Sequence, residues 1–527
     1  TSPEPQPTPP PGTPRQASPA SRTAPAALVW AVPPRRRIAR DHDTCGAPVH
    51  NRPLRALVVL GFGVALLAAC GDGVPARLTP EALRDPATCR ECHPAQYEQW
   101  SGSMHAYASD DPVFVAMNQR AQRETSGAVG KACVNCHAPL AVRDGLTADG
   151  LNVGALPPSE KGVTCFFCHA ASDVAGTHDN PLVLAGDGSL FGPFGDAVAN
   201  TPHAAHASPF FDDTRLESAA LCGSCHDIVN QHEAHVERTY EEWRGTVFAQ
   251  PGKGLSCPAC HMEGSDGAVA VTSTRTRRLH RHDFPAVDLA LQPWPQADEQ
   301  RARAQALLDS TVQSTVCWNP VTSRVEVTLD NVGAGHGWPS GATPDRRAWV
   351  EVQAFAGAER LYASGGPEAL PLEGSPDPDL WLVRDCLRDA AGAETNLFWQ
   401  AATVSSNQLP GAPLLNVNDP TTFATHRQRV FPAGAAGLSQ TPDRITLAVH
   451  LQAVGADVLD ALVASGDLDA AVASKVARYD LAGAATEWTT VKAKHPVDAT
   501  TAFKLCVMTG SYSAAVTPAD SHARCGP

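Results

Sequence analysis

Several things are scarce in this sequence, and each scarcity excludes a class. Beyond residue 69 no stretch is apolar and long enough to cross a membrane as a helix. Basic residues are outnumbered, with a formal net charge of −14 when His is neutral. Nucleic acid is therefore not an expected partner, because phosphate binding needs a basic surface. Long apolar periods are few before about residue 295, so a conventional hydrophobic core is not expected there. Residues 1–40 contain no Met and no hydrophobic periodicity, and are rich in Pro, Ala, Ser and Arg. Such a segment cannot bury enough apolar surface to fold, and it is consistent with read-through from upstream of the true start. At 527 residues the chain is long enough for two or more domains.

The first apolar run, Ala56 to Ala69, follows Arg52 and Arg55. It is too short to span a bilayer and fits the core of a signal peptide. It ends Leu67-Ala68-Ala69-Cys70-Gly71, which resembles the lipobox of bacterial lipoproteins, where cleavage precedes the Cys and its sulfur is lipidated. The alternative is an ordinary signal peptide in which Cys70 is incidental. Residues 1–69 are expected to be leader, and 70–84 a lipid-anchored linker. The remaining chain would be soluble, tethered to a membrane by lipid alone, in the periplasm or at the cell surface.

Cysteine is what the chain has in quantity, with 16 residues. Ten form five C-x-x-C-H motifs: Cys89-Cys92-His93, Cys133-Cys136-His137, Cys165-Cys168-His169, Cys222-Cys225-His226 and Cys257-Cys260-His261. Two thiols three residues apart reach the two vinyl groups of one haem and form thioethers. The adjacent His then ligates the iron. Zinc ribbons also use paired Cys, but they do not require His after every second one. A thioredoxin-like pair would need a βαβ context that is absent. Five covalent haems c are therefore expected, and an export signal agrees with their attachment outside the cytoplasm.

Around these motifs the sequence resembles the multihaem cytochromes of the cytochrome c554-like group. Trp100-Ser101-Gly102-Ser103-Met104-His105-Ala106 is similar to the group's W-x-x-S-x-H-A segment, whose His binds an iron from the far side. Glu242-Trp243 followed by Cys257–Met262 is similar to its E-W…C-x-x-C-H-M segment. An internal repeat aligns Tyr97–Ala106 with Tyr240–Ala249, and Phe248 stands where His105 stands. The second copy cannot supply a ligand there, so its Trp and Phe are expected to pack on porphyrin.

A six-coordinate iron needs a second axial group, and His in that role gives a lower potential than Met. The haem region, residues 85–294, offers His105, His178, His203, His206, His232, His235, His280 and His282. One ligand is expected from each close pair (His203/His206, His232/His235, His280/His282), together with His105 and His178. Met104, Met117 and Met262 are weaker candidates.

After about residue 295 the chain changes character. Residues 295–316 are expected to form a helical connector. In 317–527, Val325/Val327/Leu329, Ala348/Val350/Val352 and Ile445/Leu447/Val449/Leu451 alternate as strands do, separated by Pro and Gly clusters. The expected class is α+β: a haem-rich domain of short helices and loops, then an antiparallel β-sandwich-like domain. A helix is expected near Asp457–Arg478. The segment Gly335-His336-Gly337-Trp338-Pro339-Ser340-Gly341, with Arg346-Arg347-Ala348-Trp349, resembles a stretch in β-domains appended to multihaem cytochromes. His336 can reach back to an iron, or be a structural His in a Gly-rich turn. Cys317, Cys386, Cys506 and Cys525 allow three disulfide connectivities. The pairing Cys317–Cys386 with Cys506–Cys525 is the one expected.

Three functions fit. The first is an electron carrier between other redox proteins or quinol/cytochrome complexes. The second is an oxidoreductase acting on a small nitrogen or sulfur compound at one open haem. The third is a docking subunit of a larger redox complex. No C-x-x-C-K variant is present. An open iron face would distinguish the second from the first.

Overall fold

The computed structural model describes residues 77–510 apart from 198–201, 253, 371, 373, 414–424, 435 and 494–503. The leader, Cys45, Cys70 and Cys525 lie outside the described residues. Among the described residues no helix is long and apolar enough to cross a membrane.

Residues 77–294 are short helices joined by loops and two-stranded pairings. The helix Pro112–Glu124 is the longest here. It starts cleanly because Asp111 accepts from the N–H of Val113 and Pro112 occupies the first turn, where its missing N–H costs nothing. It buries Val113, Phe114, Ala116 and Ala121. The apolar clusters of this half are small, such as Leu83, Leu140, Phe166, Phe167 and Leu182. That fits a region organised by something other than its own side chains.

The repeat is one structural unit used twice. Tyr97 and Trp100 lie on the helix Pro94–Ser101, Tyr240 and Trp243 on Thr239–Arg244. Their ring centroids are 5.8 and 5.7 Å apart. Both indoles donate to a backbone carbonyl, Trp100 to Val163 and Trp243 to Leu255.

The second half is built on two antiparallel sheets sharing one core, with a smaller three-stranded sheet in which Asp385–Arg388 pairs with Glu394–Thr395 and Thr403–Ser406. Strands Val312–Asn319 and Arg324–Asn331 pair in the first sheet, flanked by His426–Phe431 and Leu505–Met508. Arg347–Ala356 and Arg444–Gln452 pair in the second. Val325, Val327 and Leu329 from one sheet meet Ala348, Val350, Ile445 and Val449 from the other in a single apolar cluster. This is the sandwich that period-two alternation predicts. The opposite face of Arg324–Asn331 is covered too: Glu326 is buried and pairs with Lys504 at 2.6 Å. The helix before the sandwich is Ala297–Thr311, and the first strand starts at Val312, inside the segment expected to be connector.

Two expectations are corrected. The helix expected over Asp457–Arg478 is two pieces, Ala456–Ala464 and Ala470–Ala473, followed by a strand from Arg478. Gly466, at φ +78°, breaks it, a conformation glycine adopts without a Cβ penalty. The disulfide is Cys317–Cys506, not Cys317–Cys386 or Cys506–Cys525. Cys317 and Cys506 stand directly opposite in neighbouring antiparallel strands, so pairing across the sheet wins over closing a short terminal loop. Cys386 is also disulfide-bonded.

The Cys317–Cys506 bridge ties positions 189 residues apart. Replacing both by Ser should cost about 2–4 kcal/mol, since a cross-link constrains the unfolded chain most when its loop is long. Denaturation followed by far-ultraviolet circular dichroism measures this, with haem content unchanged. An unshifted midpoint would contradict the structural role.

Candidate haem-binding site

Each motif winds into about one helical turn. The N–H groups of His93, His137 and His226 donate to the carbonyls of Cys89, Cys133 and Cys222 at 2.8, 3.4 and 3.1 Å. The other two motifs are the short helices Cys165–His169 and Cys257–His261. Residues i, i+3 and i+4 share a helix face, so each turn presents both thiols and the imidazole to one side.

What they face is one continuous cavity of about 1730 Å³. That exceeds the usual size of a pocket for one small ligand. All ten motif cysteines and all five motif histidines line it.

Every motif imidazole is fixed through Nδ1. Nδ1 of His93, His137 and His169 donates to the carbonyls of Val269, Ala108 and Phe191 at 2.7, 2.8 and 2.6 Å. His261 donates to Pro285, and His226 to the carboxylate of Glu237, both at 3.2 Å. Holding Nδ1 leaves Nε2 as the free donor atom, the arrangement metal-ligating histidines use.

Four motif histidines stand opposite a second histidine. Ring centroids are 6.4 Å apart for His93 and His203, and 6.3 Å for His226 and His105. They are 6.2 Å apart for His169 and His282, and 6.4 Å for His261 and His336. Two imidazoles on opposite sides of one metal give about 6.3 Å, from a bond of about 2.0–2.1 Å plus about 1.1 Å from nitrogen to ring centre on each side. Burial lowers His105 to about 3 and His261 and His282 to about 4, so all three are neutral with a lone pair available. The Nδ1 atom of His105 is buried and has no hydrogen-bond partner. Burial also lowers His226, but the Glu237 hydrogen bond and charge outweigh it and carry it up to about 9. The residues thus fit haem iron: paired thiols, oriented imidazoles, and ring pairs at metal-spanning distance.

The remaining candidates lie elsewhere. His206 packs on Phe191, and His280 is held by the Met262 carbonyl and by Asp213. Both touch the cavity but neither faces a motif histidine. His178, His232 and His235 are not among its lining residues, and His178 faces His235. The remaining motif histidine, His137 of the second motif, differs from the other four. Among the described residues no histidine ring faces it. Phe114 stacks flat on it at 4.0 Å and 5°. Nothing in the spacing of the sequence signals this stack.

Two fixtures hold candidate distal histidines. The carbonyl of His105 accepts from the N–H of Val163, and a Cβ at Gly162 (φ +64°) would lie 2.6 Å from that carbonyl. Glycine is required there. His336 sits in a loop clasped by Glu242, whose carboxylate accepts from the Gly337 N–H and the Ser340 hydroxyl at 3.1 and 2.7 Å. Glu242 is visible in the sequence as part of the repeat, but its role in holding the His336 loop is not.

A family model described as cytochrome c554 and c-prime matches residues 88–170. The crystal structure of a penta-heme cytochrome c552 from Thermochromatium tepidum is similar in fold, with a TM-score of 0.51 at 17% identity, covering 77% of this chain and 99% of that one. The family match covers the first three motifs, and the likeness in fold extends over most of the chain. No curated protein matches it. In this chain the motifs touch in a definite order. The sulfur of Cys89 lies close to that of Cys165, Cys136 to Cys225, and Cys222 to Cys257. Phe284 lies against both His105 and His282, at 4.4 and 5.8 Å. The fourth motif is thus the hub of the set, next to the second and fifth directly and to the third through Phe284. The first motif adjoins the third.

Replacing His105, His203, His282 or His336 singly by Ala should leave every haem attached, since attachment uses the cysteines. Each change should turn one haem high-spin, read by electron paramagnetic resonance. His206→Ala, His232→Ala and His280→Ala should leave all spin states as they are. The opposite pattern would reassign the ligands.

Proposed function

We propose that the chain carries electrons one at a time through five covalently bound c-type haems, four with two histidine ligands and one, on Cys133, Cys136 and His137, with an open far side. The single observation that supports this is the set of four ring pairs at 6.2–6.4 Å, against the lone stack of Phe114 on His137. Haem c supplies reversible one-electron chemistry at iron.

The protein's own residues do the rest. Nδ1 hydrogen bonds keep the imidazoles from turning when the iron's charge changes. Glu237 gives His226 a charged partner, which increases ligand basicity and favours the oxidised state. His336 comes from the sandwich, so the β-domain completes the fifth site and does more than dock. The contact order of the motifs supports a branched path with the fourth at the branch.

A second reading is supported by Phe114: an oxidoreductase in which a small nitrogen or sulfur compound reaches the iron held by His137. The helix Pro112–Glu124 brings Phe114, Met117 and Asn118 to the cavity wall. Export, a lipid on Cys70, and partners among other redox proteins or quinol/cytochrome complexes belong to the same proposal.

Intact mass of the mature protein should show five haem additions, and the pyridine haemochrome should agree. Electron paramagnetic resonance of the oxidised form should show one high-spin site among low-spin ones, allowing for coupled pairs. The reduced form should bind one carbon monoxide. Binding of none would mean that a further group closes the fifth iron, leaving a pure carrier. Turnover of hydroxylamine, nitrite or tetrathionate together with that open site would favour the enzyme.

Cys70→Ala should move the protein from the membrane to the soluble fraction, because a lipid is the only apolar tether in this reading. Unchanged membrane association would point to a protein partner instead.

A further inference from the structure

His178 and His235 are the one close histidine pair in the haem region that includes no motif residue. They approach each other from two segments, the loop after the third motif and the strand His235–Glu237. Their ring centroids are 6.2 Å apart, the separation seen in the pairs that flank a haem site, with planes at 62°. Neither is among the residues lining the haem cavity, and their side chains are 44% and 43% exposed, so ions in solution can reach them.

Both rings are oriented as metal ligands are. His178 Nδ1 donates to the carboxylate of Asp179 at 2.8 Å, and His235 Nδ1 donates to Asp227 at 3.3 Å. The Nε2 atoms have no partner among the described residues. The carboxylates are themselves anchored. Asp179 accepts from the N–H of Val229 at 3.1 Å, and its own N–H donates to the Asp227 carbonyl at 3.1 Å. Asp227 is buried and also accepts from the N–H of Glu241. Asp179 and Asn180 both hold φ +58°, a costly conformation for two successive non-glycine residues. The side chain of Asn180 donates to the Asn135 carbonyl, and Asn135 donates to the Asp179 carbonyl at 2.9 Å. A strained turn tied down on both sides is what fixes His178 opposite His235.

We propose that His178 and His235 form a second, non-haem metal site for a late first-row divalent ion of the zinc or copper kind. Imidazole nitrogen selects such ions over magnesium or calcium. The two imidazoles supply two ligands and water fills the other positions, so the ion exchanges. Asp227 directly follows His226, so an ion held here sits beside the hub motif.

The test uses the fully haem-loaded, tag-free protein, treated with EDTA and then dialysed against zinc sulfate. Elemental analysis after gel filtration should show one zinc beyond the haem irons. The His178→Ala/His235→Ala double variant should lose that zinc. Asp179→Asn, which keeps both imidazoles, should weaken binding about 10–100-fold, the usual effect of removing a carboxylate behind a ligating histidine. Haem count and spin state are read on the same samples and should not change. No extra zinc in the parent protein, or the same zinc in the double variant, would overturn the site. So would a haem turning high-spin in the double variant, since these residues would then be iron ligands. A changed haem count would fault the functional proposal and leave the zinc result standing.

Discussion

Each motif histidine donates from Nδ1 to a fixed acceptor, and that one hydrogen bond decides where the other ring nitrogen points. Four acceptors are backbone carbonyls, from Val269, Ala108, Phe191 and Pro285. Each of these carbonyls belongs to a segment remote in sequence from the motif it serves. The loops must therefore be in place before the imidazoles are. This explains why a region with small apolar clusters and little regular structure can still hold its chemistry rigidly: the loops are tied to the motifs, and the motifs to the haems that fill the cavity between them. Apolar surface that would otherwise face water is covered by the haems, so the usual core is not needed.

The repeat shows how one unit serves two ends. In the first copy the short helix after Trp100 carries His105 itself, locked by the close approach of Gly162. In the second copy Phe248 replaces that histidine, and the unit becomes a clamp. Glu242 holds Gly337 and Ser340, and Thr246 donates to the Gly335 carbonyl at 3.2 Å. The histidine that faces a motif imidazole comes here from a loop of the sandwich, His336 opposite His261. Asn331 reinforces that loop by donating to the His336 carbonyl at 2.8 Å. A domain that looks appended in the sequence is thus joined to the region of the motifs, and the described residues belong to one compact unit.

Legibility in the sequence depends on where the information lies. The C-x-x-C-H turns are local, so their chemistry can be read from five consecutive residues. Strands such as Arg324–Asn331 are legible because one face meets a core and alternates accordingly. The distal histidines are not, because the choice between His203 and His206, or His280 and His282, depends on which ring the fold turns toward a motif far away in the chain. His280 is instead taken by the Met262 carbonyl and Asp213. The disulfide is hidden for the same reason. Loop length favours Cys506 with Cys525, whereas strand register puts Cys506 against Cys317. The helix after Gly455 is visible, but its break at Gly466 is not, since glycine occurs both inside helices and at their ends and its φ is decided by the packing of the next segment.

Phe114 is the residue that most changes how the site is understood. Histidines are plentiful here, so the second motif's lack of one on its far side is not a shortage of ligands. His178 lies within reach of the second motif, through the contacts of Asp179 and Asn180 with Asn135, yet it is turned to His235. On the cavity side, the helix Pro112–Glu124 presents a flat apolar ring in stacking contact with His137. A stacked ring fixes the plane of the imidazole without donating to a metal. It restrains His137 as firmly as a second ligand restrains the other four motif histidines, and it does so from the near side. In the proposed assignment rigidity and closure coincide at the four histidine pairs and part at this one, and admitting a small molecule at the iron depends on that separation.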